Sequence, residues 1–194
     1  MKWILLLLIS VGCNKCPEKV PPFTWETIPG REEVVGIVRP IYRVKVHRDW
    51  VRIDEPRALN DTTVPNITYL IENDIHLTVH TFPSTPIAPR QQIDRWKEPL
   101  ALSSIKPFSH SGFSGLFLEG EHDDKKTLAW AFQLDPELTQ RLGLLASSVA
   151  EKLYYEQLAA DFTIKVSGPK KKLAEHRYNI FNFANSIELI EAIP

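Results

Sequence analysis

Residues 113–134 read FSGLFLEGEHDDKKTLAWAFQL, and their pattern decides the fold. Leu128, Trp130, Phe132 and Leu134 fall on one face of an extended run, the period-two signature of a strand laid against a core. The apolar run FSGLFLEG (113–120) precedes them, and the charged EHDDKK between the two runs suits a hairpin turn. Two long neighbouring strands with this much aromatic bulk need a second layer to cover them.

Strand patterns continue on either side. IYRVKV (41–46) sets Ile41, Arg43 and Lys45 against Tyr42, Val44 and Val46, and EVVGIV (33–38) precedes it across Pro40. NITYLIE (66–72) and DIHLTVHTF (74–82) meet at Asn73-Asp74, a pair suited to a tight hairpin. DFTIKVSG (161–168) is a further strand, closed by Gly168-Pro169. Helices are expected over 89–98, where Pro89 suits the first turn and Ile93, Trp96 and Lys97 share a face, and from Asp135-Pro136-Glu137, a cap followed by proline. Helical spacing recurs over 147–159 and over 171–186, the latter through Leu173, Arg177, Ile180 and Ala184. Hairpin-linked strands with helical insertions give an α+β domain with a largely antiparallel sheet flanked by helices.

At 194 residues the chain suits one domain with a sizeable core. Its formal charge is −1, and removing residues 1–12 takes away only Lys2, leaving 22 basic against 24 acidic side chains. Such a balance offers no electrostatic footprint for nucleic acid, nor for electrostatic adhesion to a membrane.

The chain opens MKWILLLLISVGCNKC. The apolar run after Lys2 ends after about nine residues, against about 20 needed to cross a bilayer. A basic start, a short apolar run and small residues describe a secretory signal peptide. Ser10-Val11-Gly12-Cys13 resembles the lipobox of bacterial lipoproteins, although Ser10 stands where leucine is usual. The resemblance implies cleavage after residue 12 and a diacylglycerol thioether and N-acyl group on Cys13, anchoring the chain to a membrane of the cell envelope and facing the periplasm. An ordinary signal peptide cut elsewhere, or a buried N-terminal strand, is the competing reading. Lys15 before Cys16 makes that second cysteine the wrong acceptor, and Cys13-x-x-Cys16 without further cysteines makes a poor metal or redox site. Residues 13–32 then read as a proline-rich linker through Pro17, Pro21, Pro22 and Pro29, with the domain over 33–194 and Trp25 either exposed or docked.

The succession YRVKVHRDWVRID, IHLTVHTFP, the Trp96 helix, FSGLFLEGE, the Trp130 strand, and ADFTIKVSG followed by a helix with NIFNFANSIELI resembles the Mog1/PsbP-like fold over about residues 36–190. The resemblance implies a sheet with helices on both sides and a role in binding or assembly. With the lipobox, the chain is similar to small lipoproteins of intracellular Gram-negative bacteria.

Spacing separates most of the chemistry-bearing residues. His76 and His80 share a strand face, but about 13 Å separates their positions, too far for one ion. His122, Asp123 and Asp124 fall in a turn with no further ligand at metal spacing. Ser103-Ser104-Ile105-Lys106 fits Ser-x-x-Lys, yet Pro99 and Pro107 oppose the helix that would join serine to lysine. Gly112-Phe113-Ser114-Gly115 lacks the second glycine of a nucleophile elbow. Lys170-Lys171-Lys172 would oppose a helix dipole, so a loop before the last helix is expected there, or a site for an acidic partner. No catalytic residue, metal or cofactor is assigned. The expectation is a non-enzymatic, lipid-anchored module that binds or assembles another envelope component, set against a lipid-anchored hydrolase with an unrecognised site.

Overall fold

The computed structural model describes residues 22–28, 42–53, 65–82, 87–149, 152 and 161–190. Cys13 and Cys16, the strand expected over 33–38 and most of the helix expected over 147–159 lie outside them.

A seven-stranded sheet is the backbone of the domain. It comprises β3 (Val51–Ile53), β4 (Ile67–Glu72), β5 (Ile75–Phe82), β6 (Leu102–His110), β7 (Phe113–His122), β8 (Lys125–Leu134) and β9 (Asp161–Pro169), in the order β3-β4-β5-β9-β8-β7-β6. Every neighbouring pair is antiparallel. A small sheet pairs β1 (Phe23–Ile28), β2 (Tyr42–His47) and β10 (Glu188–Leu189). Three helices complete the described fold: α1 (Pro89–Lys97), α2 (Pro136–Leu145) and α3 (Lys170–Ala184). The result is the expected α+β class.

Two of the hairpins form where the sequence places them. Asn73-Asp74 joins β4 to β5, and Asp123-Asp124 joins β7 to β8, with Asp123 at φ 52°. Ser111 and Gly112 both take positive φ, 48° and 81°, the two-residue turn whose twist matches antiparallel strands, and it joins β6 to β7. Asp135 caps α2, its side chain accepting from the Glu137 amide at 2.9 Å.

β8 shows why the layers stack as they do. Leu128, Trp130, Phe132 and Leu134 face one side, where they meet α3 and the small sheet in a core with Tyr42, Val44, Val46, Leu173, Ile180 and Phe183. Ala129 and Ala131 face the other side, and their small size lets α1 settle with Ile93 against them and Leu118. Large side chains thus fill the thick layer and alanines accommodate the thin one; each buried large side chain contributes about 2–3 kcal/mol.

Gly115 has a specific role in that core. Phe108, Gly115, Phe132 and Phe162 form one row across β6, β7, β8 and β9. With no side chain at 115, Phe108 leans over the glycine to within 5.1 Å of the Phe132 ring, which stacks on Phe162 at 5.0 Å. A Cβ on Gly115 would overlap the Ala131 carbonyl and the Phe132 backbone.

Besides the short strands β3 and β10, which the sequence reading does not contain, four elements depart from it. Phe23–Ile28, inside the stretch that its prolines assign to a linker, is a strand paired along its whole length with β2, from Phe23↔His47 to Ile28↔Tyr42. The side chain of Ile28 is fully buried. Residues 102–110 are a strand that their low apolar content does not announce; β6 lies at the sheet edge and is largely exposed. In α1, Gln92 rather than Lys97 joins Ile93 in the buried face. The lysine run is not a loop: Lys170, Lys171 and Lys172 are the first turn of α3. Their opposition to the dipole is offset by carboxylates, with Lys170 Nζ 2.9 Å from Glu121 and Lys172 Nζ 3.0 Å from Asp74 and 3.1 Å from Glu72. Two of the three cations are therefore engaged within the chain.

Candidate binding groove

The strand geometry separates most of the chemistry-bearing residues. Ser103 and Lys106 lie three apart on β6, so they point to opposite faces and cannot act as a nucleophile-base pair. His76 and His80 sit on the same face of β5, as expected, with Thr78 between them. Ser114 is exposed on β7, opposite Ser109 and Gln133. His122 stands beside Asp123 at 3.5 Å in an exposed turn. Among the described residues no three histidine, cysteine, aspartate or glutamate side chains gather at metal-binding distance.

One ion network ties α3 to the large sheet. Glu119 on β7 receives both ends of the Arg177 guanidinium, 2.7 and 3.0 Å away, and also Lys126 at 2.5 Å. Burial alone would raise the Glu119 pKa, but the hydrogen bonds from Arg177 and Lys126 outweigh it and hold the carboxyl below its ordinary value. Glu72 is lowered by its hydrogen bonds with His176 and Lys172, and Glu121 by that from Lys170. Every charge here has an intramolecular partner, which makes this a structural clamp rather than a site.

The groove lies elsewhere, between the outer face of the small sheet, the β6–β7 turn and the C-terminal half of α3. It encloses about 470 Å³, within the range of ligand sites. Alternation along β1 and β2 decides its first wall. Ile28, Val44 and Val46 turn inward, so Phe23 and Trp25 on β1 and Arg43 and Lys45 on β2 turn outward. Trp25 remains 45% exposed, with the Arg43 guanidinium 4.7 Å and the Lys45 ammonium 5.0 Å from its ring centre.

The opposite wall follows from helical spacing. Leu173, Ile180, Phe183 and Ala184 bury one face of α3, which leaves Tyr178, Asn182 and the C-cap Asn185 lining the groove. Tyr178 is 73% exposed. Ser186 fastens the two walls: its hydroxyl accepts from the Lys45 amide at 2.8 Å and donates to the Phe183 carbonyl at 2.8 Å. His110 and Ser111 close one end.

Glu188 is the groove's one acidic lining residue, and it is engaged by Arg43, whose Nε lies 2.6 Å from Oε1. Lys45 makes no ion pair among the described residues. The groove therefore presents exposed rings, amides and an uncommitted cation, a chemistry of recognition. Of the residues singled out from sequence, Trp25 lines it. Tyr178, Asn182 and Asn185 carry no sequence signal beyond lying off the apolar stripe of their helix.

No family model matches the chain, and no curated protein matches it in sequence. Among solved structures it is similar to the solution structure of cyanobacterial PsbP (CyanoP) from Synechocystis sp. PCC 6803. The identity is 11% and the TM-score 0.47, with 91% of this chain and 98% of that chain covered.

Proposed function

We propose that this protein is a lipid-anchored binding module of a bacterial cell envelope, held to its membrane at Cys13 and meeting its ligand in the groove beside Trp25. The observation that carries the reading is the pairing of exposed aromatic side chains, Trp25 and Tyr178, on two walls of one groove of ligand size. Exposed rings with amides and a cation nearby give contact area at small entropic cost and a few directional bonds. The lipobox at residues 10–13 supplies the anchor. An acylated chain confined to a membrane meets its ligand at raised effective concentration, so a shallow groove suffices.

Two measurements test this reading. Labelled palmitate should enter the wild-type protein and vanish in Cys13→Ala, while Cys16→Ala keeps the label. A photo-crosslinking residue placed at Tyr178 should give discrete adducts in cells, and the same residue at Ser104, on the far edge strand, should give none. Equal adducts at both positions would remove the groove from the proposal.

A further inference from the structure

The groove's first wall stands at the point where the chain enters the domain. Phe23 is the first residue of β1, and Pro22 accepts a hydrogen bond from the Arg48 amide at 2.9 Å, so the entry is tied down. Nine residues separate Cys13 from Phe23. The covalent chain lets them span at most about 35 Å. Resting on the lipid-anchor reading above, this tether keeps the start of β1 within a short distance of the bilayer, whatever the rest of the domain does.

The surface that faces outward there has a particular composition. Trp25 is exposed, and Lys45 and Arg48 make no ion pair among the described residues. Of the carboxylates on this side, Glu188 is engaged by Arg43, and Asp49 beside Arg48 stays exposed, 3.7 Å from the His47 ring. Tyr178 adds a second amphipathic ring across the groove. An indole and a phenol with polar tips, beside uncommitted cations, suit the headgroup layer of an anionic membrane, where rings settle at the interface and ammonium and guanidinium groups meet phosphates.

We propose that the outer face of the small sheet, centred on Trp25 and Lys45 with the exposed Arg48 in the turn that follows β2, rests on the anionic headgroups of the bilayer that carries the anchor, so that the groove opens onto the membrane surface. Two cations and one indole hold a free domain to a membrane weakly. The tether converts the same contacts into an intramolecular equilibrium between a docked and an undocked domain, biased by effective concentration. The ligand of the groove is then a component of that membrane.

The test uses the acylated mature chain, beginning at Cys13, in vesicles of phosphatidylcholine alone or with phosphatidylglycerol, each with brominated acyl chains that quench nearby tryptophan. Mass spectrometry of the same sample reports the acyl groups. Quenching should appear with phosphatidylglycerol, disappear in Trp25→Phe and persist in Trp96→Phe. Lys45→Gln and Arg48→Gln should each lower the docked-to-undocked ratio about fivefold, and 0.5 M salt should act in the same direction. Acylated protein whose quenching is the same in wild type and Trp25→Phe, or the same in both lipids, overturns the docking while leaving the anchor standing. Protein without acyl groups at Cys13 overturns the anchor and the docking together.

Discussion

Arg177 grips Glu119 with both ends of its guanidinium, Nη1 2.7 Å from Oε1 and Nη2 3.0 Å from Oε2, and so joins the middle of α3 to β7. The same guanidinium lies 4.7 Å from the centre of the Phe181 ring, a second contact that favours its placement. Removing the carboxylate in Glu119→Ala leaves Arg177 without its counter-charge and Lys126 with Glu121 alone, 3.7 Å away. The expected loss is about 1–2 kcal/mol, below that of a fully buried pair because Arg177 retains 38% of its side-chain exposure. Arg177→Lys should lose part of it, since a point charge cannot make two parallel bonds. Urea denaturation at neutral pH measures both.

Acid should unfold the domain through the same carboxylates. Glu72, Glu119 and Glu121 are held below their ordinary value of 4.5, so their contribution is complete above that pH. It is lost as pH falls through their lowered folded values. Lys172 has the opposite sign. Its hydrogen bonds to Asp74 and Glu72 raise it above 10.5, so its contribution is present below 10.5 and lost as pH climbs through the raised value. Midpoints of thermal unfolding between pH 2 and 5 should fall steeply in the wild type and less steeply in Glu119→Gln.

Two glycines separate a required absence of side chain from an incidental one. Gly115→Ala drives a methyl into the backbone of β8 and should cost about 3 kcal/mol or leave the protein insoluble. Gly143→Ala, in α2 with nothing within 4 Å of the added carbon, should raise stability by about 0.5–1 kcal/mol. Paired thermal melts check the contrast.

Starting the chain at Arg31 removes β1. That takes away the buried Ile28, the six-residue ladder to β2 and the 2.9 Å bond from the Tyr69 hydroxyl to Glu26. The shortened chain should lose about 3 kcal/mol, or roughly 10 °C in its melting midpoint.

Lys165 is a cation in a half-buried place on the sheet, its ammonium 5.8 Å from the Trp96 ring centre, and burial pushes its pKa down. Lys165→Met keeps the aliphatic stem and removes the desolvated charge. Stability at pH 7 should rise by about 0.5–1 kcal/mol, the relief exceeding the lost ring contact. A fall in the urea midpoint would contradict this.

Legibility followed burial. The β4–β5 and β7–β8 hairpins and α1 were readable because burial on one face writes a period into the sequence, and turn residues sit at their ends. β6 was hidden because an edge strand exposed on most positions writes no period: Ser103, Ser104 and Ser109 need only avoid clashes. Its devices are negative ones. In the register set by the two-residue turn, the odd-numbered residues of β6 direct their backbone groups away from β7, so Pro107 lies where its missing N–H leaves no free donor. β1 was hidden by its neighbours, since Pro21, Pro22 and Pro29 flank a six-residue strand and mask it as linker. The first turn of α3 ran against dipole logic because carboxylates at Glu72, Asp74 and Glu121, far away in sequence, offset the lysines. The groove was least legible of all. Its walls come from residues 23–45, 110–111 and 178–188, and only folding brings them together.

The position of β9 also sets the order in which the molecule can be completed. β6, β7 and β8 are joined by two-residue turns, so they can associate as soon as they leave the ribosome. β5 has no such option on its inner side, because His76 waits for Ser167 and Phe82 for Asp161. Both halves of the sheet are thus unfinished until residues 161–169 arrive, and α3, which covers their shared apolar face, follows directly after. Until then the inner edge of β5 and the rings of β8 stand open, and the nascent chain depends on speed or on a chaperone to keep them from other chains.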